Sequence, residues 1–159
     1  MKRLYILRHA KAESDKLGIP DIERHLSKQG RKDAAQVSKI LIEKNYLPSH
    51  IFSSPSVRTI ETSEIFLENI ENCKFNIEKS LYHGDIDDVL NLCYEFDESI
   101  TSPMIVFHNP GITYFANVIC EANILNVPTC GLLVLEINTS TWKSIDPSVI
   151  KLIDFITPE

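Results

Sequence analysis

Short apolar runs alternate with amphipathic segments along most of this 159-residue chain, and this alternation constrains its fold more than any other feature. The runs at residues 3–7 and 103–107 have the length and the continuous apolar character of buried strands. Between such runs, apolar residues recur at the spacing of helices that pack on a sheet. Strands that alternate with helices favour a mainly parallel sheet covered on both faces. The pattern therefore predicts a three-layer α/β/α fold, formed as a single domain by residues 1–159.

The predicted elements run strand, helix, strand, helix through most of the chain. Strands are predicted at residues 3–7, 50–53, 74–78, 103–107 and 132–137. Helices are predicted to begin at Ser27, at Ser54-Pro55, near Ile86 and near Ile112. At the second of these starts, a serine cap followed by proline at the first helical position is a favourable opening. Beyond residue 137 we expect a hairpin that returns around Trp142, and the segment 149–156 fits an edge strand or a short helix equally well.

The charge balance and the cysteines limit the classes of partner. The chain has 16 basic and 22 acidic residues, so it lacks the basic excess with which nucleic-acid-binding proteins displace counterions. The apolar run at residues 4–7 is too short for a signal-peptide core, and no run is long enough to cross a bilayer. The four cysteines are far apart and form no CxxC pair, which is typical of reduced, buried thiols. We therefore expect a cytoplasmic protein that binds neither nucleic acid nor membrane.

Polar clusters directly follow three of the predicted strands. Arg8 and His9 come after the first strand, Arg58 lies shortly after the second, and His108 and Asn109 come after the fourth. Any one cluster alone would be consistent with a solvated loop or a structural histidine. In a parallel sheet, however, ligands bind beyond the carboxyl ends of the strands. The clusters together therefore predict a binding site at this edge of the sheet.

The residue types of these clusters suit a phosphate group. Guanidinium groups stay charged, and their forked donors match phosphate oxygens. A neutral imidazole is a competent nucleophile when its other ring nitrogen is held by a hydrogen bond. Phosphoryl transfer spreads negative charge over the equatorial oxygens, so its catalysis consists mainly of positioning and cationic stabilisation. The sequence thus predicts a phosphate pocket that needs neither a metal nor a cofactor.

Four ordered stretches of the chain resemble the histidine phosphatase superfamily, another branch of which includes the cofactor-dependent phosphoglycerate mutases. These stretches are RHAKAES at 8–14, DIERHLSKQGRKDA at 21–34, FSSPSVRTIETSEI at 52–65 and VFHNPGI at 106–112. Their details and the short chain are most similar to the SixA-type phosphohistidine phosphatases. The resemblance covers nearly the whole chain and implies a phosphoglycerate mutase-like fold.

The resemblance also implies roles for the polar residues at the sheet edge. His9 would be the nucleophile that becomes phosphorylated, Arg8 and Arg58 would bind the phosphate, and His108 would be the second pocket histidine. A bound phosphate dianion would raise the pKa of His108. We add Asn109 as a further substrate-binding residue. The implied enzyme is a hydrolase that acts on phosphohistidine of a protein, such as a histidine phosphotransfer domain of a signalling relay.

One departure from the family pattern concerns the general acid. Many members use a Glu or Asp to protonate an alcohol leaving group, but residues 80–85 contain no Glu. His83 and Asp85 are the candidates there, although Asp85 is better suited to cap the following helix. An imidazole that leaves from a P–N bond has a conjugate-acid pKa of ~6.5, so it depends less on a general acid than an alcohol does. The missing Glu therefore favours phosphohistidine as the substrate.

Two alternative functions remain open at this stage. The first is a phosphatase with the same chemistry that acts on a small phosphorylated molecule, and relative rates on phosphohistidine and phosphomonoesters would discriminate between the two. The second is a phosphate-binding regulatory module without turnover, which would bind phosphate but hydrolyse no phosphoester or phosphoramidate.

Overall fold

The computed structural model describes residues 1–15 and 18–159, which form a layered α/β structure around one six-stranded sheet. The strands are β1 (Lys2–Arg8), β2 (His50–Ser53), β3 (Lys74–Ile77), β4 (Pro103–Phe107), β5 (Leu132–Ile137) and β6 (Ile150–Ile156). The helices are α1 (Lys28–Glu43), α2 (Val57–Asn69), α3 (Ile86–Glu95) and α4 (Gly111–Tyr114), the last of which continues as a π-helix over Phe115–Ile119. Short 3₁₀ turns lie at Asp21–Glu23, Lys79–Leu81, Trp142–Ser144 and Pro147–Val149.

The sheet has the order β3-β2-β4-β1-β5-β6. The pairs β3–β2, β2–β4 and β4–β1 are parallel, whereas β5 runs antiparallel to β1 and to β6. In this register Arg8 lies opposite Phe107, and Ser53 lies opposite Val106. The residues directly after β1, β2 and β4 therefore emerge side by side at one edge of the sheet.

Helices cover both faces of the sheet. Because successive side chains of a strand point to opposite faces, Leu4 and Ile6 of β1 belong to one core and Tyr5 and Leu7 to the other. The first core is completed mainly by α3, α4 and their neighbours, and the second by α1 and α2. This arrangement confirms the predicted three-layer α/β/α fold with a mainly parallel sheet. None of the helices described here is long and apolar enough to span a membrane.

Helix α1 begins where the sequence predicts. The Ser27 side chain caps it by accepting a hydrogen bond from the backbone N–H of Gly30. A Cβ at Gly30 would overlap the carbonyl oxygen of Lys11, so only glycine allows the helix to pack this closely on the loop after β1. The helix ends at Glu43, before the end near Tyr46 that its apolar spacing predicts, and the chain then passes through a left-handed residue at Asn45.

The predicted start of the second helix is wrong by two residues. Ser56, not Ser54, is the cap of α2, and its side chain accepts a hydrogen bond from the backbone N–H of Thr59. Both serines lie in a polar stretch and are suitable cap residues, so the local sequence preference does not distinguish them. The hydroxyl of Ser54 is instead used by a tertiary partner, His108.

The predicted hairpin at the end of the chain also differs from the structure. On the side away from β1, β5 pairs with β6, which settles the open choice for the last segment in favour of a strand. Trp142 lies in a 3₁₀ turn, fully buried, and its indole Nε1 donates to the carbonyl of Ile100. The sequence pattern predicts a paired strand around Trp142, but this segment forms a turn that buries the large indole side chain in the core.

Candidate active site

The edge of the sheet beyond β1, β2 and β4 brings two imidazoles and two guanidiniums together. The ring centres of His9 and His108 are 5.3 Å apart. The Nε of Arg58 lies 3.4 Å from Nε2 of His9, and its Nη2 lies 3.4 Å from Nδ1 of His108. His9, Arg58 and His108 are each only 6–7% exposed. Arg8, the last residue of β1, directly precedes His9 in this cluster.

The hydrogen bonds of His9 determine which ring nitrogen is free. Nδ1 lies 2.7 Å from the carbonyl oxygen of Ala10, which can only accept, so Nδ1 carries the proton. Nε2 then keeps its lone pair, in agreement with the donor that Arg58 directs at it. Burial lowers the pKa of His9 to about 4, and the charges of Arg58 and Arg8 act in the same direction. His9 is therefore a neutral imidazole near pH 7, with a lone pair in the centre of the cluster.

The backbone around His9 is held from several sides. Its N–H donates to the carbonyl of Phe107, and its own carbonyl accepts from the N–H of Cys130 at 2.9 Å. The next N–H, that of Ala10, donates to the Thr62 hydroxyl at 3.0 Å, and this hydroxyl donates to the carbonyl of Arg58 at 2.7 Å. Thr62 thus fixes the loop that carries His9 to the helix that carries Arg58.

Arg8 has a donor that nothing in the described part of the protein uses. Its Nη1 donates to the carbonyl oxygen of Val127 at 2.9 Å. Its Nε is buried and has no hydrogen-bond partner among the described residues. Burial, followed by the charge of Arg58, lowers the pKa of Arg8 from its ordinary value. Since a buried donor without an acceptor is costly, Arg8 has a donor suited to an oxyanion in this site.

Asp21, which sequence reasoning did not place in the site, holds Arg58, and Tyr82 supports Asp21 in turn. The Nη1 of Arg58 donates to the main-chain oxygen of Asp21 at 2.7 Å, and its Nη2 donates to Oδ2 of the same residue at 2.9 Å. The hydroxyl of Tyr82 donates to that Oδ2 at 2.6 Å, and Arg24 donates to Oδ1. The Tyr82 hydroxyl and then the Arg24 and Arg58 guanidiniums hold the pKa of Asp21 well below its usual range. The position of Asp21 within the family-like stretch 21–34 was the only signal in the sequence.

Ser54 and Arg58 orient His108. The Ser54 hydroxyl lies 2.7 Å from Nε2, and the Arg58 Nη2 lies on the Nδ1 side. Because a guanidinium can only donate, Nδ1 carries the lone pair and Nε2–H donates to Ser54. Burial, with the neighbouring His9 and Arg58, lowers the pKa of His108 to about 3. The sequence predicts a raised pKa of His108 for the complex with phosphate. Without an anion in the site, the pKa of His108 is lowered from its ordinary value.

The side chain of Asn109 is fully hydrogen-bonded within the protein. Its amide donates to the side-chain oxygen of Asn126 and to the carbonyl of Val127, each at 3.0 Å. Its amide oxygen accepts from both the N–H and the hydroxyl of Thr113. Both side-chain amide protons are used within the protein, where they hold the loop next to Arg8; a role of Asn109 in substrate binding stays a prediction.

The two candidates for a general acid lie at the rim of the site. Asp85 caps α3. Its Oδ1 accepts a hydrogen bond from the N–H of Asp88, and Oδ2 of Asp88 accepts one from the N–H of Asp85. His83 is exposed, and its ring centre lies 4.4 Å from that of Tyr82, with the two ring planes tilted by 48°. Both residues line a cavity of about 190 Å³ that His108 also lines. The carboxylate of Asp85 is thus already used as a helix cap.

A neutral imidazole flanked by guanidiniums, in a gap bounded by a second imidazole, defines an enzyme that handles phosphate groups. The family model of the histidine phosphatase superfamily (branch 1) matches residues 4–102, and the chain belongs to this superfamily. The match includes Arg8, His9 and Arg58, while His108 lies beyond its end.

Individual relatives agree with this assignment. The solved structure of a candidate phosphohistidine phosphatase SixA from Agrobacterium tumefaciens is 27% identical and covers 99% of both chains with a TM-score of 0.85. An uncharacterized chloroplastic protein of Arabidopsis thaliana is 29% identical over 89% of this chain and 69% of its own length. The mitochondrial serine/threonine-protein phosphatase Pgam5 of Drosophila yakuba is also 29% identical, over 92% of this chain, which spans only 60% of Pgam5. Together these similarities support phosphatase chemistry.

Proposed function

We propose that this protein is a phosphatase that removes phosphate from phosphohistidine on a protein, through a covalent phosphohistidine at His9. One observation carries the proposal: the Nε2 lone pair of His9 is fixed in the centre of the cationic cluster by the bond from Nδ1 to Ala10. A nucleophile that is neutral and already oriented needs no separate base.

The first step is an in-line attack by Nε2 of His9 on the phosphorus. An incoming phosphoryl oxygen takes over the Nε donor of Arg58, which frees the lone pair of His9, and another oxygen accepts from the unpaired Nε of Arg8. A new P–N bond forms to His9 as the P–N bond of the substrate breaks. The electron pair of the broken bond stays on the leaving nitrogen, and a proton on the other ring nitrogen of the substrate makes the leaving group a neutral imidazole.

The second step is hydrolysis of the phosphorylated His9. Water attacks the phosphorus, the bond to Nε2 breaks, and inorganic phosphate leaves with the oxygen of the water. The lone pair returns to Nε2, so that the free site is restored. Throughout, Arg8 and Arg58 stabilise the charge on the equatorial oxygens, and Nδ1 of His108 faces the same gap.

The nature of the leaving group supports a phosphohistidine substrate. The carboxylate of Asp85 serves α3 as its cap, and His83 is solvent-exposed, so neither is held for proton donation to an alcohol. An imidazole leaves more readily than an alkoxide without such help. The similarity to the candidate phosphohistidine phosphatase SixA over the full chain points in the same direction.

Trapping of the phosphoenzyme tests the proposal. The native protein incubated with radiolabelled phosphoramidate should acquire a label that is lost in acid and kept in base, as expected of phosphohistidine. His9→Ala should acquire none, and His25→Ala, which alters an exposed histidine, should label like the native protein. Arg58→Ala should fold, by circular dichroism, but turn over poorly. Phosphate binding with no labelling and no hydrolysis would refute the proposal and favour a regulatory module.

A second candidate is hydrolysis of phosphomonoesters. The observation that favours it is the similarity to Pgam5, which is named a serine/threonine-protein phosphatase. The deciding measurement is kcat/KM on a phosphohistidine peptide, a phosphothreonine peptide of the same sequence and a small phosphomonoester. Preference for the phosphohistidine peptide supports the first candidate, and preference for either ester refutes it.

A further inference from the structure

A groove leads away from the phosphate gap on the side of His108. It consists of two adjoining cavities of about 190 and 370 Å³, and both are lined by Asp85 and Tyr114. The inner cavity is also lined by His108 and Tyr82, and the outer one by Asp87 and Val118. We call these two cavities together the leaving-group groove; His108, whose Nδ1 faces the phosphate gap, lines the inner one.

The charges of the site are distributed unequally between the gap and the groove. Arg8 and Arg58 border the phosphate gap, and Arg24 is bonded to the same Asp21 that holds Arg58. The described residues that line the leaving-group groove include the carboxylates of Asp85 and Asp87 but no lysine or arginine. A matching ligand is therefore negative at its phosphoryl end and positive beyond it.

The outer part of the groove also presents apolar surface. Tyr114 is 58% exposed and Val118 is 64% exposed, and both line the outer cavity. They lie four residues apart, the first at the end of α4 and the second in the π-helix that continues it. π-Helical turns occur frequently at functional sites. Carboxylates beside apolar side chains match a basic polypeptide segment better than a small anionic metabolite.

On the basis of the proposed function, we propose that the leaving-group groove selects protein substrates in which lysine or arginine flanks the phosphohistidine. Asp85 and Asp87 attract the flanking cations, while Tyr114 and Val118 contact the segment that carries them. A phosphorylated metabolite with a carboxylate or a second phosphate in this position is repelled by the same two carboxylates. The groove thereby separates basic protein substrates from anionic small molecules.

Two phosphohistidine peptides of equal length test this inference, identical except that the residues on either side of the phosphohistidine are lysine in one and glutamate in the other. At about 0.01 M salt the lysine peptide should have a kcat/KM about fivefold higher, and at about 1 M salt the difference should largely disappear. Asp87→Asn should reduce the difference in kcat/KM between the two peptides, and Asp87→Lys should give the glutamate peptide the higher kcat/KM. Glu71→Gln removes the same charge at an exposed site outside the groove and should keep the native ratio.

The outcomes separate this inference from the proposed function. Equal kcat/KM on the two peptides at low salt, or an unchanged preference for lysine in folded Asp87→Lys, would overturn the selection by the groove while leaving the phosphatase intact. If the native protein releases phosphate from neither peptide and not from phosphoramidate, the function on which the inference rests is refuted instead.

Discussion

The guanidinium of Arg58 donates two hydrogen bonds to Asp21, one to its main-chain oxygen at 2.7 Å and one to its carboxylate at 2.9 Å. A carboxylate beside the ligand-binding edge of a phosphate site has two opposite effects. It orients the guanidinium so that Nε points at His9, and it offsets part of the positive charge that would attract the phosphate. Asp21 therefore improves the orientation of Arg58 but weakens the attraction of the site for phosphate.

Asp21→Asn should bind inorganic phosphate more tightly than the native protein. The main-chain bond to Arg58 remains, whereas the negative charge that is paired with Arg58, whose repulsion of a nearby anion is worth about 1 kcal/mol in a solvated setting, is removed. We expect the dissociation constant to fall about fivefold at low ionic strength, measured by isothermal titration calorimetry. Glu71→Gln is the matched loss of one charge and should bind like the native protein. Weaker binding by Asp21→Asn would show that orientation of Arg58 outweighs the charge.

The buried histidines make the stability depend on pH. The pKa of His9 is lowered to about 4 and that of His108 to about 3, while both titrate near 6.5 in the unfolded chain. Between these values the unfolded state binds protons that the folded state does not, so the free energy of unfolding rises with pH through this window. More than about one pH unit above 6.5 these histidines are neutral in both states, and their contribution no longer changes.

Urea unfolding at a series of pH values between about 4.5 and 7 measures this dependence. The native protein should be less stable at the acid end, and His108→Asn should take up about one proton fewer on unfolding near pH 5. The readout is the slope against pH, so a general loss of stability in the variant does not obscure it. An unchanged slope in His108→Asn would contradict the lowered pKa of this residue.

Ser54→Ala should damage the site through His108. The substitution leaves the buried Nε2–H of His108 without its acceptor, which should lower the free energy of unfolding by about 1–3 kcal/mol. It should also lower kcat about tenfold, because the ring is no longer held towards Arg58. Ser53→Ala is the control, since its hydroxyl is equally buried but donates only to the carbonyl of Ser54. Equal kcat values for the two variants would argue against this positioning role.

Thr62→Val should loosen the loop that carries His9. Valine keeps the shape of threonine but removes the acceptor of the Ala10 N–H, so we expect a loss of about 1–3 kcal/mol in the free energy of unfolding. The rate of phosphoenzyme formation, measured by rapid quench, should fall as well. Ser63→Ala, one residue on in the same helix, loses only a bond to the carbonyl of Thr59 and should label at the native rate. A native rate in Thr62→Val would contradict the coupling of this loop to α2.

Local sequence patterns predicted elements well where one interaction dominates. Ser27 caps α1 because the apolar periodicity after it leaves no other start for the helix. The cap of α2 was missed because Ser54 and Ser56 are equally suitable cap residues locally. Only the hydrogen bond between Ser54 and His108 distinguishes the two serines. Trp142 was assigned to a strand because its burial in a 3₁₀ turn depends on contacts with distant residues.

The amino-acid sequence by itself determined the layered fold and the edge at which the polar residues gather. Hydrophobic periodicity specifies strands and helices, and a parallel sheet then directs the residues after each strand to the same side. Only the tertiary structure decided the partners: the carboxylate that holds Arg58, the proton that stays on Nδ1 of His9, and the loop that the amide of Asn109 holds. The bonds of Arg58 and Asn109 join residues distant in the chain, and the proton on His9 depends on the angle of a ring. No local pattern encodes such distances or angles.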